Sequence, residues 1–408
     1  MQLFPTLDTM NKASVLITNT IASIDAELRD INLKIHDDPE LGRHEFHASK
    51  LLADYMENKG FKVKRGLPGI PTAFIAEYTR GSSGRRIGFC SEYDALPGIG
   101  HGCGHPLIAI SGVACAIAIK SVLEEGILQE GSVVLFGTPA EETTHGGKIS
   151  MIDQHVFQSR VDFCMMLHPY PYDINYCVML ARDEMKVEFF GKAAHAGAAP
   201  WEGINAVDAI MQGWDNMSML RQQTQPTNRI HGRLVEAGKS ANVIPAYASA
   251  EVVVRSVTHE ELIELKAKVA LCFEAAAVAT GCKVKLAWNE SGICKDVFMN
   301  DTLTSTYRHY MEQEGVPFMS RVDEEKVISG STDFGNVSYV VPGTHPHFGI
   351  GIDAPIHSIK FEKAARTKKA HQNTLRAAGA LAKAGANVLL DDSLYCHMQE
   401  DFRQGKKQ

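Results

Sequence analysis

Three apolar runs, "IGFC", "VVLFG" and "FCMML", each lead into side chains that bind metal or carry protons, and this pattern constrains the fold more than any other feature. Asp94 follows "IGFCSEY", Glu141 and Glu142 follow "VVLFGTPA", and His168 follows "FCMML". Runs so short and so continuously apolar read as strands covered on both faces, as parallel sheets are. Helical spacing between them completes an alternation of strand and helix. Open α/β sheets of that kind gather ligands beyond the carboxyl ends of their strands. One site built from several strand ends is the economical reading.

The chain is 408 residues long, beyond the size at which one core stops growing, so two domains are expected. The first 60 residues have helical spacing, with Gly60 as a stop, and "TAFIAEY" follows as a β-like run. "PLIAISGVACAIAI" stops short of the roughly 18 apolar residues that span a bilayer and reads as a buried helix. Near residue 184 the pattern changes to an alternating strand, "EMKVEFFGKAAHAG", then helix, strands, helix and the strand "KVKLAW". These elements predict an inserted α+β domain at 184–292. Residues 1–183 and 293–408 then form a discontinuous domain that ends on a helix beginning near Lys363.

With 45% hydrophobic and 22% charged residues, the composition is that of a soluble globular protein. A formal charge of −7, with only short basic clusters ("KK" near 368 and the terminal "GKKQ"), excludes a nucleic-acid footprint. The nine cysteines are odd in number and lack close pairs, and "MQLFPTLDTMNK" has no signal-peptide pattern. Reduced thiols, a cytoplasmic location and no membrane partner are the expectation.

"GIGHGCGHPLIAISG" sets Cys103 and His105 two residues apart on a glycine-rich loop, where thiolate and imidazole suit zinc. The same residues also fit a thiol nucleophile with its base, or a turn around a buried cysteine. A thiol enzyme leaves Glu141, Glu142 and His168 unexplained; a metal accounts for them, one carboxylate binding it and the other free to move protons. A single histidine such as His168 or His357 is ordinarily structural, and His101 most simply shapes the turn. Tyr170, Tyr172 and Trp201 suggest an apolar or aromatic pocket, or plain packing.

Seven segments, "EYDALPGIGHGCGH", "GTPAEE", "MMLHP", "GKAAHAGAAPWEGINAVDAI", "ANVIP", "GSTDFGN" and "PIHS", occur in an order that resembles family twenty of the metallopeptidases. That group includes aminoacylase, glutamate carboxypeptidase, aminobenzoyl-glutamate hydrolase and auxin-conjugate hydrolases. The chain is most similar to its aminoacylase-like β-alanyl-lysine dipeptidase subgroup. The resemblance implies a zinc-peptidase-like α/β domain with an open, mostly parallel sheet, interrupted by a ferredoxin-like lid that also forms a homodimer. It implies two divalent metal ions, zinc ahead of manganese or cobalt, on Cys103 (bridging), His105, Glu142, His168 and His357. Glu141 is then the general base, and His195 the lid histidine reaching a site, often the partner subunit's. Asn242 and Arg255 hold a substrate carboxylate, with Gly330 and Thr332 beside it. The substrate is a small N-acyl amino acid or dipeptide with a free carboxylate. One departure from many relatives is Pro106, where they carry Asp; the bond such an Asp makes to neighbouring ligands is absent. Two other readings stand at this point: a cysteine hydrolase using Cys103, and a non-catalytic metal- or ligand-binding regulatory protein.

Overall fold

The computed structural model describes residues 7–405, so "MQLFPT" and the final "KKQ" lie outside the described residues. The chain divides into two compact units. Of the described residues, the first comprises 7–178, 297–328 and 333–405; the second comprises Met179–Asp296 with Ser329–Thr332.

The first unit is built on a six-stranded sheet. Its strands run, from one edge, Lys62–Leu67, Ile70–Arg80, Gly131–Gly137, Arg85–Ser91, Phe163–Met165 and Gly343–Thr344. The last four are mutually parallel, and the first two are antiparallel additions at one side. Register sets Ser91 beside Gly137 and Phe89 beside Met165, so the chain leaves three parallel strands at one edge of the sheet. A separate parallel pair joins His168–Tyr170 to His347–Gly349.

The helix His105–Glu124 is buried nearly all round and packs on the helix Lys368–Leu390 and on the strands. Its many Ala and Gly residues permit that close approach. It is longer than the apolar run that betrays it, because His105 at one end and Lys120–Glu124 at the other are helical too. Among the described residues it is the one helix long and apolar enough to cross a membrane, and 89% of that apolar window is buried within the protein. Gly104 precedes it at φ 84°, a left-handed conformation open to a residue without Cβ, and Pro106 occupies the first turn, where its missing N–H has no partner to lose. The closing helix expected near Lys363 is three helices, Ile359–Ala365, Lys368–Leu390 and Asp392–Gly405, the first two started by the hydroxyl caps Ser358 and Thr367.

The second unit has four antiparallel strands, ordered Arg229–Glu236, Tyr247–Ser256, Ala181–Phe190 and Lys283–Trp288. With the helices Ala206–Leu220 and His259–Thr280 they form a β-α-β-β-α-β unit, the ferredoxin-like arrangement. Burial alternates along Ala181–Phe190, which places Met185, Val187 and Phe189 in the core with Val252, Val254 and Phe273. This unit extends past residues 184 and 292 on both sides. It also takes in Ser329–Thr332, because Leu180 N donates to Gly330 O (2.6 Å) and Arg255 Nη1 to Ser331 Oγ (2.8 Å). Gly330 and Thr332, expected within the discontinuous domain, thus belong to the second unit.

The second unit has its own core, so damage to it stays local. Phe273 is fully buried, and Phe273→Ala is expected to cost about 3–5 kcal/mol within this unit. Amide hydrogen exchange should quicken across residues 181–190 and 247–256 and remain unchanged across 105–124.

Candidate active site

Four segments of the first unit converge where the parallel strands end. Arg85–Ser91 continues into Glu92 and Asp94, and Gly131–Gly137 leads to Glu141 and Glu142. The loop before the buried helix supplies Cys103 and His105, and His168 opens the strand His168–Tyr170. His357 joins them through its backbone N–H, which donates to Gly102 O (2.8 Å).

Asp94 fixes the orientation of two of these groups. His105 Nδ1 lies 2.8 Å from Asp94 O and 3.1 Å from Asp94 Oδ1, while Glu142 N donates to Asp94 Oδ2 (2.9 Å). His105 therefore donates from Nδ1, which leaves Nε2 as the ring atom that faces the site. The support that Pro106 cannot give to His105 comes from Asp94. His168 has the same tautomer: Nδ1 donates to Pro169 O (2.7 Å), and Nε2 lies 3.4 Å from Cys103 Sγ. His357 Nε2 is 3.1 Å from Glu142 Oε1.

The donor atoms form three overlapping groups, each compact enough to hold an ion: Cys103–His105–His168, Cys103–Glu142–His357, and Glu92–His105–Glu141. Cys103 is common to two of them. His105 Nε2 and Glu92 Oε2 are buried and make no hydrogen bond. Buried polar atoms without a hydrogen bond are costly, and a cation that displaces any proton from the imidazole would satisfy both. Soft thiolate, imidazoles and carboxylates in one pocket are a donor set suited to divalent metal.

Glu141 is nearly buried, and burial with the charges of Glu92 and Glu142 pushes its carboxyl well above the ordinary range. Burial and Glu142 push the Cys103 thiol up as well, and burial takes His168 down to about 4. The Cys103–His168 contact is thus between neutral groups, the opposite of an activated thiolate. His101 turns away, its Nε2 against Ile35 O (3.1 Å), in keeping with a turn-shaping role.

Glu92, Lys148 and Asp333 were not singled out as site residues in the sequence. Lys148 is fully buried and pairs with Glu92 Oε1 and Asp333 Oδ1, each at 2.5 Å. Glu92 was legible in principle, since it stands two residues before Asp94 in "SEYD". Lys148 gave no such signal, being a lysine at the start of the short helix Gly147–Asp153, where exposure is the usual outcome.

The remaining expected residues lie in the second unit. His195 and Asn242 are neighbours across the short ladder pairing Val243 with His195, with Asn242 Nδ2 3.3 Å from His195 Nε2. Gly197 N and Ala198 N both donate to His195 Nδ1 (3.2 and 3.1 Å). With two backbone N–H groups on Nδ1, His195 carries its proton on Nε2. Arg255 stands in register between Arg182 and Arg229 on the adjacent strands. Its Nη1 reaches Ser331 Oγ rather than an acid, so the residue is not spent on a structural carboxylate. Tyr172 and Trp201 are exposed, and Tyr170 packs edge-on against Tyr172 and His347.

A strand-end site of carboxylates, imidazoles and one thiol on this α/β sheet, with a separate ferredoxin-like unit, defines a metal-dependent hydrolase. The model of peptidase family M20/M25/M40 matches residues 88–383, and the chain belongs to that family. It is a metal-dependent amidohydrolase of the dipeptidase and acyl-amino-acid hydrolase type. The Xaa-Arg dipeptidases of Mus musculus and Homo sapiens are 41% and 38% identical to it, each alignment covering 90% of this chain and 86% of the relative. A solved Bacillus subtilis dinuclear metal-binding peptidase of the M20 family shares the fold, with TM-score 0.64, 20% identity, and coverage of 87% of this chain and 98% of that one.

Lys148→Met leaves Glu92 and Asp333 buried without their cation. Removing one partner of such a pair ordinarily costs about 3–5 kcal/mol. Urea unfolding of metal-free protein should show a loss of that size.

Proposed function

We propose that the chain is a dinuclear, exo-acting dipeptidase that releases an amino acid with a free carboxylate, preferring a basic residue such as arginine or lysine at that position. The observation that carries this reading is the overlap of donor groups on Cys103, with Glu141 beside them in a pocket short of positive charge. The basic preference rests on the 41% identity to an Xaa-Arg dipeptidase.

Cys103, His105, Glu142, His168 and His357 would hold two divalent ions, zinc favoured over manganese or cobalt by the thiolate. Such ions, when bound, polarise an amide carbonyl and acidify water. Glu141 accepts a proton from the attacking water and passes it to the departing amine nitrogen; burial and neighbouring carboxylates keep it basic enough to do so. His195, proton on Nε2, donates to the carbonyl oxygen as it gains charge. Arg255, with Asn242, Gly330 and Thr332, takes the substrate carboxylate through a planar fork. The second unit serves as lid and as the surface that pairs two copies. Nine cysteines without a disulfide among the described residues, Cys90 and Cys164 included with their sulfurs in hydrogen-bond contact at 3.6 Å, favour a reducing cytoplasm. A net charge of −7 and the burial of the apolar helix favour a chain without nucleic-acid or membrane partners.

Purified protein should contain two equivalents of divalent metal by elemental analysis and lose activity to a chelator. Amine release from alanyl-arginine should exceed that from its carboxyl-terminal amide. Glu141→Gln should lower kcat by about 100- to 10,000-fold with metal content intact. His195→Ala should lower it by about 100- to 1,000-fold. Arg255→Ala should chiefly raise KM for carboxylated substrates, and an equal loss on the amide would contradict its role. Full metal loading without turnover on any dipeptide or N-acyl amino acid would overturn the reading.

A further inference from the structure

The segment "PELGRHEF", residues 39–46, lies before the matched region 88–383, yet it braces the turn that carries the two catalytic-site glutamates. That turn begins at Ala140, which holds φ 62°, a left-handed conformation that alanine avoids because its Cβ crowds the following carbonyl. The Ala140 N–H is buried, and its acceptor is a side chain rather than the sheet: Glu45 Oε1, at 2.8 Å. Glu45 is itself fully buried, its other oxygen accepting from Thr72 Oγ1 (2.9 Å). On the far side of the turn, Thr143 Oγ1 donates to Ala140 O (2.8 Å) and Glu142 N to Asp94 Oδ2 (2.9 Å).

Neighbouring residues of the segment fit the same surface. A Cβ on Gly42 would collide with Thr143 Cγ2 and lie 3.1 Å from Ala140 Cα, so only glycine lets the two loops touch. Arg43 Nη2 donates to His145 O (2.9 Å), just past the turn. Ala95 N donates to Glu40 O (2.8 Å), which ties the segment to the loop bearing Asp94. Left-handed residues at a functional site persist only where the surroundings over-determine them.

We propose that Glu45 is a positioning residue for amide hydrolysis. Its carboxylate captures the Ala140 N–H, holds the left-handed turn, and so sets where the Glu141 and Glu142 carboxylates point. The proposal deepens the hydrolase reading and rests on it. Glu45 touches neither substrate nor the donor atoms; it acts through the backbone of residue 140.

The test uses Glu45→Leu, Glu45→Gln and the double variant Glu45→Leu with Ala140→Gly, assayed as full-length protein. Glu45→Leu should reduce kcat by about 100-fold with KM little changed, as displacements near 1 Å do. Calorimetric titration of metal-free protein with Zn²⁺ should show affinity weaker by about 10-fold. Glu45→Gln keeps an acceptor and should retain most of both. Glycine at 140 adopts the left-handed turn without a clamp, so the double variant should recover both, which general loss of stability would not do. If Glu45→Leu is insoluble, Glu45→Asp withdraws the acceptor by one methylene, and the same recovery by Ala140→Gly is expected. The proposal fails if removal of the acceptor changes neither kcat nor Zn²⁺ affinity, or if Ala140→Gly restores neither. Wild-type protein inactive on every amide would sink the hydrolase reading instead, while the Zn²⁺ titration would still decide the role of Glu45.

Discussion

The structure depends on an excess of negative charge held out of water at one edge of a sheet. Glu92, Asp94, Glu141, Glu142 and Asp333 crowd the ends of the parallel strands, and Lys148 is the ammonium buried among them. Carboxylates so close repel one another strongly where water is excluded. A fold that assembles them must recover that cost elsewhere, through the buried helix His105–Glu124 and the core it anchors. The same excess makes the pocket a receptor for cations, and any ion that binds the folded chain alone adds to its stability. Recognition of metal and stability of the fold are therefore linked.

Two of the carboxylates act as frame. Asp94 uses both oxygens inside the protein, one toward His105 Nδ1 and one on the Glu142 N–H, so it orients two donors while adding charge. Glu92 divides its roles: Oε1 is held by Lys148, which leaves Oε2 facing His105 Nε2 at 3.4 Å. Lys148 thus controls the direction of a carboxylate that belongs to one of the three donor groups. Asp333, which also accepts from the Lys148 backbone N–H (2.9 Å), locks the lysine from the other side.

Much of this was legible in the sequence, and the failures have physical causes. Strand ends could be read because apolar runs stop abruptly, and Asp94, Glu141, Glu142 and His168 came with them. The ferredoxin-like unit showed itself through the alternation in "EMKVEFF" and the two helical patterns after it. Its return at 329–332 left no trace, since four polar and small residues carry no periodicity; only the hydrogen bonds to Leu180 and Arg255 assign them. Lys148 and Glu45 escaped notice for a related reason. Buried charges are recognised by their partners, and those partners are distant in the chain: Lys148 meets Glu92 and Asp333, and Glu45 meets Thr72 and Ala140.

The protonation of the pocket couples these elements to one another. Burial and nearby carboxylates keep protons on Cys103 and Glu141 when no cation is present. A cation that takes the thiolate must displace the Cys103 proton, so binding grows stronger as pH rises and weaker as it falls. Cation charge in the pocket also lowers the proton affinity of Glu141, which moves that carboxyl from a state that holds its proton toward one that can accept and return it. The geometry needed for both changes is already set by hydrogen bonds within the protein. Asp94 and Pro169 fix the two histidine tautomers, and the Ala140 turn fixes the two glutamates, before any ion arrives. Preorganisation of this kind explains why so many hydrogen bonds around the site are spent on backbone groups: they hold the donors still while the charge among them is rearranged.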